Sequence, residues 1–433
     1  MIINNTNNYI DISEDTKDKI NKFLECFLGY VEEQYELKII NPVHYCDLLI
    51  MISEAYPLLE RKEKWEQIGY DLCKGLKQNI ETYGISEKHM GMIGGLGYMC
   101  FCVNLFSEKT GNLLKFSHTL NKLLFQESVK LTERLRRKKD VNMNDYDMIA
   151  GVSGFIYFLL DFKWNLEEES QLKKLIEYLV ELTKYHQYMG CSVINFHLTK
   201  ENLSREDEKL EFPNGNINFG LSHGMLGPLL ALTKAHSKGM EVEGIESAIN
   251  ELFGIYDQFK IYHNDIAAWP TQLSFESYIK GEFEDNLRPV MASWCYGNTG
   301  IARGLQKAAQ YMKYVQKEEV YKKDLINIIN QPVDRYNLYE TIICHGYSSV
   351  LCIRTMAYRD TKDKRFVETI EKDIDAVISI FYRNSDTSYD INKIIKKHFK
   401  DNMSLMLGAV GVALSLLGVV HEDMEYGKLL MVD

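Results

Sequence analysis

Six segments of this sequence open with Gly-x-x-Gly, or a near variant, and run straight into an apolar stretch. They are GGLGYMCFCVNLF from Gly94, GVSGFIYFLL from Gly151, GMLGPLLAL from Gly224, GNTGIARGL from Gly297, GYSSVLCI from Gly346 and GAVGVALSLL from Gly408. The fifth has Ser349 in place of its second glycine. Successive first glycines lie 49 to 73 residues apart, room for a helical hairpin and a variable loop. Self-similarity on this scale signals a repeat architecture. The glycine-led stretches are apolar all round, which marks buried helices, whereas intervening segments such as KKLIEYLVELTKY are amphipathic and lie outside.

The pattern predicts an all-α chain with an inner and an outer ring of helices. A closed α/α toroid is its natural form, and an open solenoid is the alternative. Tyr45–Leu59 lacks the glycines but has the apolar character of a further N-terminal repeat, giving up to seven. Residues 1–433 are read as a single toroid. One excursion breaks the helical pattern: Cys191–Phe219 is polar, with an alternating SVINFHL, and predicts a small β-containing or loop insert. The uncharged stretch Ser404–Val420 is short for a bilayer and shares the glycine pattern, so it reads as a buried core helix.

Composition narrows the function. A net charge of −11 speaks against nucleic acid, which needs a basic footprint, and is compatible with a basic peptide partner. Nine cysteines, an odd number with no Cys-x-x-Cys pair, predict reduced thiols in the cytoplasm. The polar start MIINNTNNYIDISEDTK has no apolar core of a signal peptide, so none is expected.

Aligned on their first glycines, the repeats reveal a second pattern. His223, Tyr296 and His345 stand one residue before the glycine in three successive repeats; Cys295 and Cys344 stand two before it. Equivalent positions at the mouths of neighbouring inner helices converge at one end of a toroid. Cys295, Cys344 and His345 then form a Cys2His set, the donors zinc prefers, with a fourth position left for water or substrate. The other reading is two buried thiols and a core histidine. His223 stands near this set, as a catalytic group or as a packing residue. Asp147, four residues before Gly151, is either a helix cap or a carboxylate that orients a catalytic partner. The remaining cysteines read as packing residues, and His44, His89, His186 and His421 fall outside the register.

The pieces YDMIAGVSG, SHGMLG, SWCYGNTG and CHGYSSV, in this order, resemble the lanthionine synthetase C family, the cyclases of class I lantibiotic biosynthesis. The resemblance runs from about Lys88 to Leu417. It implies an α/α toroid with seven inner helices and one zinc ion per chain on Cys295, Cys344 and His345. It places the catalytic histidine on His223, the aspartate on Asp147 and the tyrosine on Tyr296. Similar bacterial members often carry an arginine four residues before the first zinc cysteine, where this chain has Met291; Arg288 is the nearest arginine.

The implied reaction adds cysteine thiols of a dehydrated precursor peptide to dehydroalanine or dehydrobutyrine, closing (methyl)lanthionine rings. The implied partners are that leader-bearing peptide, a dehydratase and an ABC-type peptide exporter at the inner face of the membrane. Two alternatives share the zinc–thiol logic: a non-catalytic lanthionine-synthetase-like adaptor, and an enzyme of the zinc protein prenyltransferase type.

Overall fold

The computed structural model describes residues 9–86, 89–283, 291–382, 393 and 395–433. Among these, fourteen long helices alternate between an outer and an inner ring. The outer helices are α1 (Glu14–Glu36), α3 (Lys62–Tyr83), α5 (Leu114–Leu135), α7 (Leu166–Leu182), α9 (Ile245–Gln258), α11 (Val315–Ile329) and α13 (Ile370–Tyr382). The inner helices are α2 (Tyr45–Ala55), α4 (Leu96–Thr110), α6 (Val152–Leu159), α8 (Leu226–Ser237), α10 (Asn298–Tyr311), α12 (Tyr347–Thr361) and α14 (Ala409–Val420).

The two rings follow from the two hydrophobic patterns. Helix α1 buries Ile20, Phe23, Leu24, Phe27, Leu28 and Val31, one stripe at helical spacing, and leaves the other face to solvent. Helix α14 buries all of its residues. Among the described residues no helix is long and apolar enough to cross a membrane, so the uncharged stretch at Ser404–Val420 is used as core. Inner helices pack on their neighbours in sequence, α4 and α6 meeting through the rings of Phe101 and Phe158, and α14 packs on α2. The Asp47 carboxylate seals that junction by accepting the Leu405 N–H at 2.8 Å. The ring is closed: a toroid, with Tyr45–Leu59 as the predicted seventh repeat.

Two expectations need correction. In the second repeat the helix starts from Gly95, which caps α4, and not from Gly94, which sits at φ +75°. Adjacent glycines hid that one-residue offset. The insert is also larger than Cys191–Phe219. Strand β1 (Tyr185–Tyr188) pairs with β2 (Cys191–Ile194). Strand β3 (Asn216–Asn218) pairs with β6 (Gln272–Ser274), which lies beyond helix α9, and β4 (Ile261–His263) pairs with β5 (Ile266–Ala268). The excursion thus draws on two connections between helices, only one of which stands out by its polarity.

Candidate metal centre

The inner helices after α2 are entered through tight turns, and the glycines make the turns possible. A Cβ on Gly297 would lie 2.2 Å from the Met291 carbonyl and 2.2 Å from the Ser293 nitrogen; one on Gly300 would lie 2.0 Å from the Trp294 carbonyl. No side chain fits there. The turn carries SWCY inward ahead of α10, and the same geometry recurs before α12 and α14.

Neighbouring turns are joined by backbone hydrogen bonds at one register position, two residues before the first glycine. Ser222 N–H donates to the Cys295 carbonyl at 3.1 Å, Cys295 N–H to the Cys344 carbonyl at 3.2 Å, and Cys344 N–H to the Met406 carbonyl at 3.1 Å. This belt brings residues far apart in sequence onto one end of the toroid. Trp294 anchors it from behind, its indole N–H donating to the Leu430 carbonyl at 3.0 Å.

Cys295, Cys344 and His345 meet as the belt requires: their ligand atoms all lie within 4.8 Å of one another. Among the described residues this is the one such group of three. Cys295 is buried, Cys344 is half-buried, and both are free thiols. The Cys344 thiol facing Cys295 holds the Cys295 thiol well below its ordinary range against the pull of burial, and His345 assists. Cys344 is pushed up by the same contact and by burial. The contact with Cys295 also raises His345, more than burial lowers it. The Glu340 carboxylate lies 3.7 Å from the His345 ring. Two sulfurs and an imidazole nitrogen gathered in this way are a donor set that suits zinc.

Beside it stands a His–Asp pair. The His223 Nδ1–H donates to Asp147 Oδ2 at 2.5 Å. The other oxygen, Asp147 Oδ1, accepts the N–H groups of Ala150 at 2.7 Å and Gly151 at 2.8 Å. Asp147 thus bonds its own turn and its neighbour's histidine at once, while the cap of α6 itself is Gly151. Burial works against a charged His223, but the hydrogen bond and charge of Asp147, joined by Cys295, outweigh it and raise the imidazole above its usual range. With Nδ1 committed, Nε2 is the nitrogen left to exchange a proton. The Tyr296 ring lies 6.1 Å from the His223 ring, centroid to centroid. Burial pushes its hydroxyl up to about 12, with the Asn218 side chain acting the other way.

The structure adds residues that the motifs did not single out. Gly220 makes room for the site: a Cβ there would lie 2.6 Å from the Tyr296 ring and 2.8 Å from the Cys295 carbonyl. Its four-residue spacing from Gly224 was the available signal. Asn218, fully buried on β3, accepts the Gly220 N–H at 3.0 Å. His44 stays outside the register: it occupies the cap position of α2, the place a glycine fills elsewhere, rather than the position before it. Met291 is half-buried, its carbonyl accepting the Asn298 N–H at 3.0 Å. Arg288 lies outside the described residues.

The family described as lanthionine synthetase C-like protein matches residues 46–428. The nisin biosynthesis protein NisC of Lactococcus lactis subsp. lactis is 29% identical over 241 residues, 54% of each chain, so the match spans about half the length of that relative. Among solved structures, one described as nisin cyclase superposes with a TM-score of 0.78 at 19% identity, covering 97% of this chain and 98% of the other. At that identity the likeness concerns the fold, which is the same toroid.

Proposed function

The chain belongs to the lanthionine synthetase C-like family, and from that premise we propose that it is a zinc-dependent lantibiotic cyclase. The observation that carries the proposal is the convergence of Cys295, Cys344 and His345 beside the Asp147–His223 pair. In this reading the three converging residues hold one zinc ion per chain. When bound, zinc supplies a Lewis acid that favours the thiolate form of a substrate cysteine, whose free thiol has a pKa of about 8.5.

The chain's own residues do the rest. A peptide thiol adds to the β-carbon of a dehydroalanine or dehydrobutyrine. A sulfur–carbon bond forms, the carbon–carbon π bond opens, and the α-carbon takes a proton; nothing leaves, and the thiol hydrogen is conserved in the product. His223 moves that proton at Nε2, since Asp147 occupies Nδ1 and fixes both tautomer and ring orientation. Tyr296, beside the His223 ring, shapes the wall against which the reacting segment lies. The proton-transfer pair favours a catalyst over an adaptor that merely holds metal and thiol, and family membership disfavours a prenyltransferase.

The substrate in this reading is a precursor peptide with its leader. It must arrive dehydrated, so a dehydratase acts first and an exporter afterwards, both as partners. We read residues 1–433 as one toroid that carries the whole activity. The test is a timed mass-spectrometric assay at pH 6–7 on a dehydrated precursor, following loss of free thiol at constant mass. The proposal expects ring closure that stops when the metal is chelated and resumes when zinc is restored. Closure at the same rate without metal would overturn it.

A further inference from the structure

On the same end of the toroid a groove runs from the turn before α14, across α2, to the end of α3 and the start of α4. Its walls are largely apolar. Val43 is 70% exposed, Tyr83 84% and Leu407 48%, with Ile93, Met99 and Met406 deeper in. Large apolar side chains exposed side by side mark a binding surface more often than chance.

The groove borders the turn next to the metal centre. Met406, in its wall, accepts the Cys344 N–H at 3.1 Å. Leu407 precedes Gly408 as His345 precedes Gly346 and Tyr296 precedes Gly297. The position that carries chemistry in three repeats carries an exposed leucine here, at the groove's edge. The belt of turns therefore passes from reactive residues to an apolar wall without a break.

We infer that this groove seats the dehydrated segment of the peptide next to the reacting cysteine, through its apolar side chains. The inference rests on the cyclase reading, and the chemistry of that substrate chooses the occupant. Dehydration removes serine and threonine hydroxyls and leaves planar, uncharged alkenes, so the segment becomes apolar as it becomes reactive. An apolar groove beside the thiol site favours the segment that has undergone that change. A leader, which undergoes no such change, gains nothing from it.

Three short leaderless synthetic peptides test this with the full zinc-loaded chain. Two carry dehydroalanine and cysteine, flanked by Leu and Ile in one and by Ser and Gln in the other. The third is a fluorescent copy of the apolar peptide with alanine in place of dehydroalanine, which binds but cannot close. Val43→Asp and Leu407→Asp change exposed positions; Leu166→Asp, on exposed Leu166 at the start of an outer helix, is the control. The inference expects the groove variants to weaken anisotropy-measured binding of the fluorescent peptide about tenfold, in line with burial of one or two aliphatic side chains. KM for the apolar dehydrated peptide rises likewise, kcat stays within about twofold, and zinc content does not change; the control does none of this. Unaltered binding in both groove variants, or no binding by the wild type, overturns the inference. So does sensitivity seen only with a leader-bearing precursor, which would make the groove a leader site. Groove-dependent binding without ring closure by the wild type would instead overturn the cyclase reading and keep the groove.

Discussion

The first repeat and the repeats around Cys295 present the same residue types at the same end of the ring and use them differently. In the first, His44 Nδ1 lies 3.3 Å from Asp47 Oδ2, with Cys46 nearby. There Asp47 Oδ1 accepts the Tyr98 hydroxyl and the Leu405 N–H, each at 2.8 Å, and closes the toroid. Cys46 faces Cys102, whose thiol is driven well up by burial and then by Cys46 itself. In the other region, Asp147 bonds its own turn and His223, and Cys295 faces a second cysteine and a histidine. Histidine, aspartate and cysteine do not make a reactive site by being present. The neighbours differ: Asp47 holds His44 at 3.3 Å while closing the ring and Cys46 faces a buried thiol, whereas the Asp147–His223 pair stands beside the cluster of Cys295, Cys344 and His345.

That contrast breaks most visibly at the metal. Cys295→Ala or Cys344→Ala should abolish ring closure and take zinc from about one per chain to near zero, whereas Cys46→Ala should leave zinc content unchanged. Elemental analysis with circular dichroism checks both; full zinc in either site variant would remove that residue from the ligand set.

Next in size is His223→Phe. The expected loss of rate is about 10²–10⁴-fold, the range for a general acid–base group, with zinc and helicity retained. If zinc departs together with activity, His223 is a ligand.

The two aspartates should then part company. Asp147→Asn should lower the rate less than His223→Phe and change its pH dependence. The carboxylate raises His223, so the protonated imidazole persists to higher pH in the wild type. Without it, the alkaline fall in rate should begin at lower pH. Asp47→Ala should act on the fold instead, costing about 2–6 kcal/mol because two buried donors lose their acceptor. Thermal melts and pH–rate profiles of both variants check this.

The smallest effect concerns the back of α2. Burial pushes the Glu54 carboxyl up to about 7, although it accepts the N–H groups of Glu425 and Tyr426. The folded state therefore holds its proton more tightly than the unfolded chain. Stability should fall as pH rises from about 4.5 to about 7, by no more than ~3 kcal/mol. Glu54→Gln should flatten that decline in denaturant titrations at pH 5 and pH 8.

Much of this was legible in the sequence, because the turns before the inner helices after α2 leave no room for a side chain at the first glycine and so print the repeat into the chain. Counting back from Gly224, Gly297 and Gly346 was enough to align His223, Cys295, Cys344 and His345. The same signal failed where glycine is doubled, at Gly94 and Gly95, and where it is absent, before α2. The β-containing insert was half visible because the partner of β3 lies beyond a whole outer helix, and the exposed β1 sequence YHQY has no buried face to alternate. Asn218 and Gly220 serve the site through packing and backbone contacts, which carry no motif. The groove was invisible for the opposite reason: its apolar residues come from separate helices and turns and meet only when the ring closes.

In the proposed site this chain supplies three zinc ligands, two sulfurs and one nitrogen. X-ray absorption at the zinc edge of the loaded wild-type protein measures that directly. The expected spectrum shows two sulfur neighbours at about 2.3 Å and one imidazole nitrogen at about 2.0–2.1 Å, with the fourth neighbour a light atom from outside the chain, and is the same for His223→Phe. Four protein ligands, a single sulfur, or a spectrum altered in His223→Phe would contradict it.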